Sequence, residues 1–513
     1  MSRRENLNSR IDNNSETKDY FYSEGEFTMI GITSYGAYIP RYRLNRKTIF
    51  AAMGWFNAAT AGVARGEKAV ANYDEDSMTM AVAASSDCLN GCSRKDIDGL
   101  YLCSTTLPYV ERQNAAICSE ALAFRSDIRT ADFTASLKSG TTALIAALDA
   151  VRGDDISNLL VCATDSRQGK PGSAMEHTFG DGAASLIVGK DSVIAEFKGS
   201  YSLTRDFPDY RRIQEERFPH SWEERWIRDE GYMKIIPSLI EGLCKKYNLA
   251  SGDFAKVVIS YPGRDLKNVC KRLGFDEGQV QDNMLATVGD TGSALGLMMF
   301  VAALEEANPG DTILVCGYGN GGDALLFEVT DEIEKIRDRQ GIKGHLAVKK
   351  DLDNYNKYLV FRDLLPVEVG IRGEEITMAR MSVTSREGQT LAALSGSRCT
   401  ACGTPQYPKQ RICINPECGA IDQMEDYFFF DKNGRINSYT GDNLAFSWDP
   451  PAMYGFIDFN EGGRLYLDIT DTDLESLKVG MPVRMTFRRK FVDRQRGVYA
   501  YFWKAIPIVD TNA

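Results

Sequence analysis

No apolar run in the 513 residues approaches the roughly 18 needed to span a bilayer, so the sequence does not point to an integral membrane protein. Clustered basic residues are also scarce. The formal charge is −11 with a pI near 5.1, which argues against a broad nucleic-acid surface, because phosphate binding depends on grouped Lys and Arg. Residues 1–28 are polar and of mixed charge, with neither the apolar core of a secretion signal nor the acid-poor character of a transit peptide. They read as a flexible tail, with Met29 as an alternative start. Histidine is rare: there are three, at 177, 220 and 345.

What is present fits a soluble, multi-domain protein, with 43% hydrophobic and 26% charged residues. Of the twelve cysteines, eight are scattered singly and four lie between 399 and 418, a distribution expected of a reducing cytoplasm with one metal site. Cys399, Cys402, Cys413 and Cys418 form C-x2-C-x10-C-x4-C, spacing that folds two knuckles around a tetrahedral, structural Zn²⁺ with no open position.

An internal repeat emerges when residues 139–166 are set beside residues 292–319. Each runs from small residues through an Ala/Leu-rich helix pattern and a Gly-Asp turn into an apolar strand ending in Val-Cys. Residues 29–330 therefore read as two related halves of an α/β layered core. A charged linker arm follows over 331–375, then a helix and zinc ribbon over 376–425. Residues 426–513 alternate β-type runs with turns, the pattern of an OB-fold barrel. GYGNGG at 317–322 lies between two strands and opens no helix, so a tight turn is expected there and not a dinucleotide site.

Residues 376–513, carrying LSGSRCTACGTPQYPKQRICINPECG and GFIDFNEGGRLYLDITD, resemble the zinc-ribbon/OB-fold proteins that accompany thiolase-type acyl-CoA enzymes. Residues 29–330 resemble the thiolase superfamily, nearer to 3-hydroxy-3-methylglutaryl-CoA (HMG-CoA) synthase than to ketoacyl-ACP synthase III. The motifs are MIGITSYGAYIPRYRLNR, SAMEHTFGDGAASLIVG, DFPDYRR with FPHSWEERW, GDTGSALGL and ILVCGYGNGGDALLFEV. The resemblance implies a thiolase-like duplicated core, a homodimer, and a pantetheine tunnel leading to a site between the two halves.

It also implies an altered active site. The family's nucleophilic cysteine falls on Leu137 in ADFTASLKSGTTAL, its acid near Thr105, its histidine on Ser260 before Tyr261 and Pro262, and its asparagine on Asp290. A leucine supplies no thiolate, so ordinary acyl-enzyme chemistry is not expected. Ser136 is one residue away, but one helical step turns a side chain by about 100°. Cys103 is either a relocated nucleophile or a core cysteine.

The remaining parts suit enolate chemistry without a covalent intermediate: backbone N–H groups for the oxyanion, Asp290 as a base whose pKa burial raises, and Tyr261 or Tyr318 as proton donor. His220 is a further acid/base candidate; His177 and His345 read as structural. Trp222, Arg225 and Trp226 line an acyl pocket or lie on a surface helix. Arg488, Arg489 and Lys490, in RRKFVDRQR, form either a solvated hairpin tip or a contact for coenzyme A phosphates.

The expected activity is an aldol or retro-aldol lyase acting on a β-hydroxyacyl-CoA. The alternatives are a non-catalytic scaffold channelling acyl-CoA for a separate thiolase subunit, and a divergent synthase using Cys103. No nucleic-acid or membrane partner is expected.

Overall fold

The computed structural model describes residues 29–153, 155–261, 263, 266–374 and 378–508. The tail expected over 1–28 lies outside them.

Nine strands form the central sheet: β1 Gly31–Tyr38, β2 Gly99–Cys103, β3 Arg129–Phe133, β4 Leu159–Ser166, β5 Asp181–Gly189, β6 Ala195–Thr204, β7 Lys256–Ile259, β8 Thr312–Tyr318 and β9 Gly321–Val329. Their spatial order is β7-β8-β9-β6-β1-β5-β4-β2-β3. β2 pairs parallel with β4, and β4 antiparallel with β5. The second half repeats this: β7 pairs parallel with β8, and β8 antiparallel with β9. The duplication read from the sequence is thus a duplication of topology.

Four helices matter for the site: α1 Ser77–Cys88, α2 Ser139–Arg152, α3 Met233–Tyr247 and α4 Leu295–Glu306. α2 and α4 are the repeated helices that feed β4 and β8. The segment LGLMMFVAAL of α4 is apolar all round because it is buried on every side, in the layer between the halves. Gly140 lets α2 approach the turn that opens α4, since a Cβ there would lie 2.9 Å from the Ser293 carbonyl oxygen.

The charged segment after the core is more firmly seated than a connecting arm. Ile333, Ile342, Leu352, Tyr358 and Phe361 are buried, Lys350–Asp351 pairs parallel with Tyr42–Arg43, and Arg362 bonds Asp181 at 2.8 Å. Its apolar residues recur among the charges, which mask them in a composition-based reading.

The ribbon has strands β10 Ser395–Cys399, β11 Pro405–Gln406 and β12 Met424–Phe428, ordered β11-β10-β12. Five antiparallel strands follow: β13 Gly434–Asp442, β14 Ala452–Phe459, β15 Arg464–Asp468, β16 Pro482–Asp493 and β17 Val498–Pro507. They are ordered β15-β14-β13-β16-β17, and a bridge between Ile469 and Ala505 brings the ends together. Among the described residues no helix is long and apolar enough to cross a membrane.

Candidate active site

The turn before α2 is tight: Ala135 has φ 68°, and Ser136, Leu137 and Lys138 follow it into the helix. This brings Leu137 against the β8–β9 hairpin, where GYGNGG forms the expected turn with Gly319 at φ 157°. A Cβ on Gly319 would lie 3.1 Å from the Leu137 nitrogen and 2.9 Å from that of Lys138, so glycine permits the approach. Among the described residues the Leu137 N–H has no hydrogen-bond acceptor. Lys138 anchors the turn, its Nζ donating to Asp323 Oδ1 at 3.0 Å, while Asp323 also accepts from Thr142 at 2.6 Å and Ser202 at 2.8 Å.

Ser260, just past β7, is buried and its Oγ accepts the Tyr318 N–H at 3.0 Å. The Tyr261 ring lies edge-on to Tyr318 at 5.8 Å and beside Tyr232 at 4.0 Å. Burial, reinforced by neighbouring phenols and, at Tyr318, by Asp209, pushes the Tyr261 and Tyr318 hydroxyls above the usual range, so both remain neutral donors. Tyr318 and Asp209 face one another across the site. The Tyr318 hydroxyl and Asp209 Oδ2 are both buried and act on one another, with no other hydrogen-bond partner among the described residues. Burial raises the Asp209 carboxyl above the ordinary carboxylate value.

Asp290 is reached through Tyr210. Its Oδ2 meets Arg167 Nη1 at 2.7 Å and its Oδ1 accepts the Gly292 N–H at 2.9 Å. The Arg167 guanidinium lies 3.8 Å from the Phe179 ring centroid and 5.1 Å from that of Tyr210. Asp290 was expected as a buried base; the structure pairs its Oδ2 with the Arg167 guanidinium. Thr105 is tied to a different carboxylate: its Oγ1 is 3.1 Å from both oxygens of Asp165, which also accepts from Ser104, Thr106 and the Ser293 N–H, each at 2.8 Å. Gly292 separates the two carboxylates at φ 61°, and a Cβ there would meet Asp165 Oδ2 at 2.4 Å. The structure therefore sets Leu137 and Ser260 against the β8–β9 hairpin and Asp290 near Tyr210, with Thr105 bonded to Asp165.

Other expected residues lie elsewhere. His220 is exposed and pairs with Glu216 at 2.6 Å on a two-stranded ribbon, because FPHSW forms a surface excursion. Trp222 and Arg225 are exposed, and Trp226 stacks on Phe207 at 4.5 Å, so they form surface and not an acyl pocket. Cys103 is fully buried at the end of β2, and burial pushes its thiol well above the usual range, which removes it as a thiolate nucleophile. His177 is buried against the Ser173 carbonyl, and His345 against Tyr38.

Arg488 also departs from expectation. It is 1% exposed on β16 and forms ion pairs with Asp74, Glu75 and Asp471, joining barrel to core, so it does not present its charge to a ligand. Arg489 donates to the Tyr73 carbonyl, leaving Lys490 as the exposed member of the three. A cavity of about 870 Å³ beside Gly263 presents other cations instead, among them Arg65, Lys267 and Lys271. Sequence reasoning missed this, as it missed Asp165, Arg167 and Asp209. The available signal was acids and a base set in apolar or aromatic strand ends, in CATDSR and FPDYRR.

In the ribbon, the four cysteine sulfurs lie within 4.8 Å of one another, with pairs at 3.5 and 3.9 Å. A tetrahedral zinc with bonds of about 2.3 Å sets its thiolates about 3.8 Å apart, so the donor set and spacing fit.

Over 336 residues the chain is 35% identical to hydroxymethylglutaryl-CoA synthase of Methanopyrus kandleri, covering 64% of this chain and 96% of that protein. The chain belongs to the hydroxymethylglutaryl-CoA synthase family. The enzyme of the same name from Methanocaldococcus jannaschii is 33% identical over 65% of this chain and 99% of its own length. Beyond the synthase-like core, residues 393–422 match the family described as ChsH2, rubredoxin-like zinc ribbon domain, and 430–488 match ChsH2, C-terminal OB-fold domain.

The solved structure of an HMG-CoA synthase complexed with CoA superposes with a TM-score of 0.57 at 20% identity, covering 68% of this chain and 94% of that one. 3-Oxoacyl-(acyl carrier protein) synthase III of Pseudomonas aeruginosa gives 0.52 at 15% identity over 59% and 98%. This synthase family member is thus a thiolase-like core fused to a Cys₄ ribbon and an OB fold.

Proposed function

We propose that this HMG-CoA synthase relative cleaves or forms the Cα–Cβ bond of a β-hydroxyacyl-CoA without an acyl-enzyme, in the retro-aldol direction. The observation that carries the reading is the buried pair of Tyr318 hydroxyl and Asp209 carboxyl, Tyr318 being next in sequence to the Gly319 that Leu137 approaches. A family site that has leucine where a thiolate is needed, yet keeps a buried tyrosine–carboxyl pair, is suited to proton transfer and not to acyl transfer.

In this reading Asp209 takes the β-hydroxyl proton through Tyr318. The Cα–Cβ bond breaks, a carbonyl compound departs, and the bonding electrons pass to the thioester as an enolate. The free N–H of Leu137 holds the enolate oxygen, and Tyr261 donates the proton that Cα requires and regains one from Asp209 through Tyr318. Arg167 and Asp290 position Tyr210 and the loop above it. Coenzyme A enters as part of the substrate, with its phosphates near Lys267 and Lys271; a homodimer and a separate thiolase subunit are the partners proposed.

The test is turnover of short β-hydroxyacyl-CoAs, read as release of carbonyl product and acyl-CoA. Tyr318→Phe and Asp209→Asn are each expected to lower kcat by about 10²–10⁴ while CoA binding by calorimetry is retained. Full activity in both variants overturns the assignment. Absence of turnover, with activity appearing only when a thiolase is added, favours the scaffold reading that Leu137 also supports.

A further inference from the structure

A second cavity, of about 480 Å³, lies where the core, the segment after it and the barrel meet. Five cationic side chains border it, Arg41, Arg337, Arg339, Lys343 and Arg484, against three acids, in a chain whose net charge is −11. The acids are committed or peripheral. Asp471 is held by Arg488, Glu305 accepts the N–H groups of Ile342 and Lys343, and Asp338 is exposed. Burial also pushes Glu305 up to about 7, which weakens it as a counter-charge near neutral pH.

Three of the guanidiniums have no carboxylate. Arg484 and Arg41 make no side-chain hydrogen bond or ion pair among the described residues. Arg339 donates only to neutral oxygens, those of Asn90 and Ser34, and its Nε is buried without an acceptor. Nearby, Arg43 is 1% exposed, donates only to main-chain carbonyls, and leaves Nε and Nη2 unsatisfied. Arg41, Arg339 and Arg484 are half-buried, where an uncompensated cation is still costly, and a sequence with 71 acidic residues had ample means to pair them. The convergence of Arg41, Arg339 and Arg484 on one cavity is the arrangement of an anion site.

We infer that this cavity binds a phosphorylated small molecule, whose phosphate is gripped by Arg484, Arg41 and Arg339 and whose remaining part rests on Tyr35, Ile39 and Ile506. Phosphate supplies the double charge and planar-fork contacts that several guanidiniums require. The volume is that of a small-molecule site, and the aromatic and aliphatic wall suits a ring. A neighbouring cavity of about 420 Å³ shares Tyr38, Gln340, His345 and Arg484, which extends the available space. Because its walls come from core and barrel together, occupancy ties the barrel to the synthase-like core.

The experiment is calorimetric titration of the full-length, zinc-loaded protein with inorganic pyrophosphate and with ADP. Arg484→Gln is expected to weaken binding at least about tenfold, and Arg41→Gln, at the rim, to weaken it by a smaller factor. Lys245→Gln, on the exposed face of α3, should leave it unchanged. No binding of either probe to the unmodified protein overturns the inference, as does full binding retained in both arginine variants.

Discussion

Arg167 and Asp290 meet at 2.7 Å, each about 5% exposed, beneath the Tyr210 and Phe179 rings. The pair joins Arg167, just past β4, to Asp290 in the loop before α4, 123 positions apart in sequence, so it couples the two halves of the core. The carboxylate is set in place by the cation and by the Gly292 N–H, which is the geometry of a positioning group. Its electrostatic worth depends on both partners being present.

Asp290→Asn leaves the Arg167 guanidinium buried without a counter-charge, and breaking such a pair typically costs about 3–5 kcal/mol. Urea unfolding should show that loss, and the double variant Arg167→Met/Asp290→Leu should recover most of it. A single variant as stable as the parent would place the pair in a more hydrated setting than the burial of both side chains indicates.

Leu137→Cys tests the covalent route directly. A thiol at this turn sits ahead of the fourteen-residue helix α2, whose N-terminus favours a thiolate, and beside the close approach of Gly319. After incubation with acetyl-CoA, intact mass spectrometry should show no adduct on the parent protein and an acetyl adduct on the variant, mapped to residue 137. An adduct on the parent would restore a nucleophile that burial of Cys103 argues against.

Removing zinc should unfold the ribbon while sparing the synthase-like core. The four sulfurs are drawn together from two knuckles, and little else in 399–418 is fully buried apart from Cys399, Cys413 and the Pro405–Gln406 strand. A strong chelator, or Cys413→Ser, should give loss of one bound zinc per chain by elemental analysis. Limited proteolysis should then cut first near residues 400–420, leaving a core fragment resistant.

The fold was largely legible because it is written in periodicity and repetition. The α2–β4 and α4–β8 units announce themselves through matched helix and strand patterns, and the ribbon through cysteine spacing. The site was legible only in part: Leu137 and Ser260 both lie against the β8–β9 hairpin, while Asp290 pairs with Arg167. Arg167, Asp209 and Asp165 were missed because their significance lies in which distant partner each meets, and sequence does not encode that locally. Arg488 was misread for the same reason, since a basic run on a strand alternates faces, and one face here meets Asp74 and Glu75 in the core.

His345 links the segment after the core to acid stability. It is buried edge-on to Tyr38 at 5.0 Å, and burial, with the Arg484 and Arg43 charges, holds its pKa down from 6.5 to about 3. In the unfolded chain the imidazole takes a proton below about 6.5, while in the folded protein it stays neutral until about pH 3. The unfolded state therefore binds the extra proton between these values, and stability is lost as pH falls through that window, on the order of 1.4 kcal/mol per unit. Above pH 6.5 the group contributes no slope. His345→Gln should flatten the urea-midpoint profile between pH 6 and pH 4 by about that slope while matching the parent's slope above pH 7. An unchanged profile would mean that His345 is hydrated, or paired with an anion, in the folded protein. The second case is distinguishable, because added pyrophosphate would then shift the profile of the parent and not that of Arg484→Gln.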